Sequence, residues 1–147
     1  MQIVYKNVLI VGSDSFVEKT KLAIDLIANT NKELNYLVIV NKYIGAINES
    51  EKSGMDVNSI TPTFNVGAKT YNMDVYWYAS CIVHDAHHSE LFFNNKPYTG
   101  KEAELECLEL QIKFLVDSNG PKSYINYIKN LIKDNVDYYS NYSSRNW

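Results

Sequence analysis

Residues 74–93, DVYWYASCIVHDAHHSELFF, decide how this chain must fold. Apolar and aromatic side chains stand on nearly every face of the helix that this run predicts, so the helix belongs in the middle of a domain. All three histidines of the protein, His84, His87 and His88, fall inside it. Residues four apart on a helix share a face, which sets His84 and His88 side by side and turns His87 away. Two imidazoles so placed can hold one metal ion through ring nitrogens.

Downstream, NNKPYTG reads as a loop, and residues 101–120, KEAELECLELQIKFLVDSNG, read as a second long helix stopped by Asn119-Gly120. At about 100° per residue, Ala103, Cys107, Leu108, Leu110, Ile112, Phe114 and Leu115 form one broad apolar face. Glu102, Glu106, Glu109 and Lys113 share the opposite face, where charge is merely solvated. Glu104 and Gln111 stand near the middle of the apolar face, two turns apart. A carboxylate buried there costs on the order of several kcal/mol unless it is paired or bound to metal. No arginine offers itself as a partner, whereas His84 and His88 lie on the preceding helix. The expectation is a two-histidine, one-glutamate Zn2+ site of His84, His88 and Glu104. A hydrogen bond from a buried tyrosine or a backbone group is the other way to satisfy Glu104.

Upstream, NVLIV (7–11) predicts a strand ending at Gly12, and residues 16–28 predict a helix with Ser15 and Glu18 as its capping box. The intervening GSDS lacks the other glycines and the lysine of a phosphate loop. Residues 35–42 fit a short helix or a strand, followed by a strand near Ile44 to Asn48. EKSGMDVNS has turn composition. TPTFNVGAKTY (61–71) reads as a strand with Pro62 at its start, a position that points to a sheet edge. Pro121 opens a third helix with Tyr124, Ile128, Leu131 and Ile132 in one stripe. The tail DYYSNYSSRNW is polar and aromatic.

The bulk numbers narrow the function classes. With 147 residues the chain fits a single domain, 1–147, and 46% hydrophobic with 21% charged residues is ordinary for a globular protein. A net charge of -3 and a pI near 5.6 give no electrostatic footprint for nucleic acid. No apolar run is long enough to span a membrane, and MQIVYKNVLIVGSDSF lacks the long apolar core and cleavage site of a signal peptide. The expectation is a soluble cytoplasmic protein in which Cys81 and Cys107 are reduced thiols of the core.

The run WYASCIVHDAHHSELF, then a glycine, then EAELECLELQ, resembles small single-domain zincin metallopeptidases of the gluzincin type over about residues 64–115. The resemblance implies an α+β fold, with a small, mostly antiparallel sheet, a central buried active-site helix and C-terminal helices. It implies a zinc-dependent peptide-bond hydrolase in which His84, His88 and Glu104 hold the metal and Asp85 is the general base. The strand Thr63–Tyr71 would be the edge strand that holds a peptide or protein substrate by strand addition. The departure is Asp85 itself, which stands where such families carry glutamate. Its carboxylate is held back by roughly 1.5 Å, one carbon–carbon bond. A displacement of about 1 Å can cost on the order of a hundredfold in rate. Tyr98, after the active helix, is a candidate oxyanion stabiliser. The alternative is a zincin-like binding or regulatory protein that keeps the metal without hydrolysing peptides. A phosphohydrolase using the His-Asp doublet needs histidines outside 84–88, and the chain has none. A non-haem iron site uses a similar ligand set, usually on a β scaffold.

Overall fold

Two strands open the chain where the sequence reading placed one. Lys6 and Asn7 both adopt positive φ, 47° and 69°, as a two-residue type I′ turn requires. The turn folds β1 (Gln2–Tyr5) antiparallel onto β2 (Val8–Val11), with Tyr5 opposite Val8. Asn7 therefore belongs to the turn. The computed structural model describes residues 1–134, so the tail at 137–147 lies outside the described residues.

Helix α1 (Asp14–Asn29) follows, and its cap is Ser13, whose Oγ accepts from the Phe16 amide at 3.3 Å. Ser15 cannot serve, because it already lies in the first turn while Ser13 has the extended backbone of a cap. Asn35 caps α2 (Tyr36–Tyr43) on the Val38 amide, which settles residues 35–42 as helix. The chain continues through β3 (Ala46–Glu49), β4 (Gly54–Asp56), β5 (Thr63–Val66) and the short α3 (Ala68–Tyr71). Among the described residues α4 (Val75–Phe93), α5 (Lys101–Asp117) and α6 (Lys122–Asp134) come last.

The fold is α+β, and among the described residues the strands form one five-stranded sheet in the order β1-β2-β3-β5-β4. The sheet is mixed rather than mostly antiparallel: β2 with β3 and β3 with β5 are parallel, and only the outer pairs are antiparallel. A helical crossover through α1 and α2 returns the chain to the end of the sheet where β2 began, and β4, running back antiparallel to β5, does the same between β3 and β5. The expected edge strand is also corrected. Thr63–Val66 lies between β3 and β4, and residues 68–71 are helical, so the edge beside it is β4, Gly54–Asp56. Three residues inside a turn-like composition are too short for alternation to show. Pro62, just before β5, has no N–H to donate and joins the sheet through its carbonyl alone, which accepts from the Gly45 and Ala46 amides.

Alternation along the strands buries one face. Val8 and Ile10 of β2 and Phe64 and Val66 of β5 are fully covered, while their neighbours are only half-buried. Helix α1 lies on β2, and α4 lies on β4 and β5 while also touching α1, α2, α3 and α5. The Tyr78 hydroxyl of α4 meets Thr20 Oγ1 of α1 at 2.7 Å inside this core. Both α4 and α5 end in an asparagine at φ 58°, Asn95 and Asn119. In each case the next amide reaches back, Lys96 to the Leu91 carbonyl and Gly120 to that of Leu115, the Schellman pattern. The first of these stops turns the chain through residues 94–100 so that α5 packs back along α4. Among the described residues no helix is long and apolar enough to cross a membrane.

Candidate metal centre

The α4–α5 pair brings His84 and His88 against Glu104. His88 Nε2 lies 2.6 Å from Glu104 Oε1, and His84 Nε2 lies 3.4 Å from Oε2. The rings have centroids 5.1 Å apart and are tilted by 57°. All three side chains are buried, Glu104 with 4% of its surface exposed. The helical faces read from the sequence hold: Glu102, Glu106 and Glu109 are exposed, whereas Glu104 and Gln111 are inside.

The proton positions make this an uneasy arrangement without a cation. His88 Nδ1 is 2.7 Å from the Tyr98 carbonyl oxygen. That oxygen only accepts, so Nδ1 carries the hydrogen, and in the neutral ring Nε2 presents its lone pair to a carboxylate oxygen. At 2.6 Å a proton must lie between them, and a metal ion held by both atoms would need them to move apart. In the metal-free protein burial opposes the charge, but contacts with Cys107 and Glu104 prevail and push the imidazolium up to about 12. Burial likewise disfavours the Glu104 charge, and the nearby His84 and His88 rings outweigh it, holding the carboxyl far below the usual carboxylate range. One Glu104 oxygen, Oε2, still has no hydrogen-bond partner although it is buried. Native structures leave few such atoms, and a metal ion would satisfy this one. The donor set of two imidazole nitrogens and a carboxylate is one that zinc accepts.

A further ligand type was read from the sequence only as core. Cys107, fully buried on α5, groups its sulfur with the His84 and His88 nitrogens so that the ligand atoms lie within 4.8 Å of one another. Burial raises this thiol and contact with His88 draws it back, leaving it at about 11. The available signal was its position one turn after Glu104, which gives both side chains the same helical face. Cys81, expected in the core, is half-buried at the cleft described next.

His84 and Asp85 line one side of a cleft of about 480 Å3. Ser53 and Gly54 at the edge strand, Trp77 on α4 and Tyr124, Tyr127 and Leu131 on α6 line it as well. Asp85 is thus buried beside the first histidine and faces the same space. The Tyr98 carbonyl orients His88, while its ring packs edge-on against Phe92 at 5.1 Å. It is not among the cleft residues. His87 points away from the centre, as its helical position requires, toward Glu90 and Glu106. The chain matches no protein-family model, no curated protein and no solved structure, so the reading of this centre rests on the geometry of its own residues.

Proposed function

We propose that the protein is a zinc-dependent peptide-bond hydrolase whose metal ligands are His84, His88 and Glu104 and whose general base is Asp85. The observation that carries this reading is the convergence of two imidazole Nε2 atoms on a buried carboxylate with one unpartnered oxygen. Bound zinc would act there as a Lewis acid, polarising a carbonyl and acidifying water. Asp85, at the cleft beside His84, would take a proton from the attacking water and return it to the leaving amine. Its shorter side chain makes a slow or specialised enzyme the expectation. The substrate strand would extend the sheet at β4, which ends the strand order and whose Gly54 lines the cleft. A cytoplasmic location belongs to the same proposal and is supported by the two unpaired cysteines.

Cys107 favours a second reading. Were its sulfur to join both histidines and Glu104, four protein donors would close the coordination sphere, as in structural rather than catalytic zinc sites. The protein would then be a metal-stabilised binding or regulatory domain. Zinc content measured after chelator-free purification, with a peptide-library hydrolysis assay, tests the choice. Asp85→Ala should abolish hydrolysis with zinc retained, and Asp85→Glu should keep or raise it. If parent and both variants are zinc-loaded and equally inactive, the hydrolase reading fails and the closed site stands.

A further inference from the structure

Gln111 is a polar residue on the apolar face of α5, and a run of hydrogen bonds explains its presence there. Ser80, one turn before His84, donates through Oγ to the Trp77 carbonyl at 2.7 Å. A serine hydroxyl has a single proton, so Ser80 Oγ offers only lone pairs to any other neighbour. Gln111 places Nε2 2.9 Å from that Oγ. The amide is thereby oriented, and its Oε1 faces His84 Nδ1 at 2.9 Å. Oε1 only accepts, so Nδ1 carries the hydrogen, and Nε2 of the neutral ring is left with its lone pair toward Glu104. Ser80, Gln111 and His84 are all buried, which keeps water from competing for these bonds.

We infer that Gln111, oriented by Ser80 and the Trp77 carbonyl, is a positioning residue that fixes the tautomer and ring orientation of His84 for metal binding. The inference rests on the metal-centre reading above. It accounts for both imidazoles: the Tyr98 carbonyl sets His88, and the Ser80–Gln111 relay sets His84, so that both Nε2 atoms face the Glu104 carboxylate. Groups that hold the outer nitrogen of a ligating histidine usually change metal affinity when removed, by about 10- to 100-fold.

The test combines nitrogen-15 NMR of the histidine rings in the metal-free protein at alkaline pH with zinc titration against a chromophoric chelator. Parent, Gln111→Met, Gln111→Glu, Ser80→Ala and His88→Ala proteins are compared, each checked for folding by circular dichroism. The parent should show His84 as the Nδ1–H tautomer. Gln111→Met should give mixed tautomers and about 10- to 100-fold weaker zinc binding. Ser80→Ala, which leaves the amide unoriented, should fall between parent and Gln111→Met. Gln111→Glu still accepts from Nδ1, and with the Ser80 hydroxyl turned from the Trp77 carbonyl to donate to the second carboxylate oxygen it should bind zinc about as tightly as the parent. Should Gln111→Met bind zinc like the parent while His88→Ala does not, the positioning role is overturned and the metal centre survives. The role is also overturned if Gln111→Glu loses as much affinity as Gln111→Met, since the glutamine would then be serving as packing. No zinc uptake by the parent overturns the metal centre itself, and with it the metal role of Gln111.

Discussion

Replacing Glu104 by glutamine separates what the carboxylate does for folding from what it does for metal. Without metal, the substitution removes a charge-assisted hydrogen bond of 2.6 Å to His88 between two buried groups. Hydrogen bonds to charged groups are worth about 1.5–3 kcal/mol, and burial here leaves little solvent to weaken this one. At about 3 °C per kcal/mol for a chain of this size, the metal-free variant should melt about 5–9 °C below the parent. With zinc present at a hundred times its dissociation constant, the parent gains about 2.7 kcal/mol. That is a rise of about 8 °C in Tm. An amide oxygen is a poor zinc ligand, so Glu104→Gln should lose most of this rise, whereas Cys107→Ser should keep it. Differential scanning calorimetry in chelator and in excess zinc reads both quantities. If Glu104→Gln keeps the full zinc-induced rise and Cys107→Ser loses it, the carboxylate is not the third ligand and the assignment is wrong.

Two other sites give predictions independent of metal. Glu49 accepts from the Tyr71 hydroxyl at 2.6 Å and from the Ser13 amide at 2.6 Å, and these bonds, Tyr71 foremost, hold its carboxyl below its ordinary 4.5. A depressed folded-state value means stability that is complete above the unfolded value and lost as pH falls through the folded one. Urea midpoints of the parent should therefore drop more steeply into acid than those of Glu49→Gln, and parallel profiles would refute the linkage. At Gly12, an added Cβ would lie 2.5 Å from Phe16 Cδ1 and 2.8 Å from Glu49 Cβ. Gly12→Ala should cost about 1–3 kcal/mol, the usual penalty of overpacking, and an unchanged Tm would show that this corner can yield.

The helices were legible because each carries a signal as long as itself. Nineteen residues of α4 leave little room for error about a buried helix, and Asn119-Gly120 marks the stop of α5 by the same backbone requirement that the structure displays. The strands were less legible, since their information lies in partners distant in sequence. β1 announces itself only through Lys6-Asn7, a pair without the glycine that usually betrays a type I′ turn. β4 has three residues, and nothing in GMD states that it will pair with β5. Missing β4 produced the wrong edge, because a strand is an edge only by virtue of what fails to lie beside it. The parallel pairs were missed for a related reason: the β3–β5 pair exists only because the unread β4 carries the chain back between them.

At the centre, the shared face of His84 and His88 on α4 followed from spacing alone, and the placing of Glu104 beside them followed from the cost of burying a charge. Neither argument reaches Cys107, because a thiol on an apolar face resembles any small hydrophobe until the two imidazoles are seen beside it. Nor does either give Gln111 its task, which depends on which way an amide is turned by a serine on another helix. The same limit applies to the step from metal site to chemistry. Glu104 and Cys107 stand one turn apart on α5 and address the same pair of histidines. Ligation by oxygen alone leaves three protein donors and a fourth position for water, and Asp85 at the cleft then has a proton to take. Adding sulfur fills that position and leaves Asp85 with no reaction to serve. Enzyme and structural centre thus differ by one donor atom within a single turn of helix, a difference that the spacing of residues in the sequence does not encode.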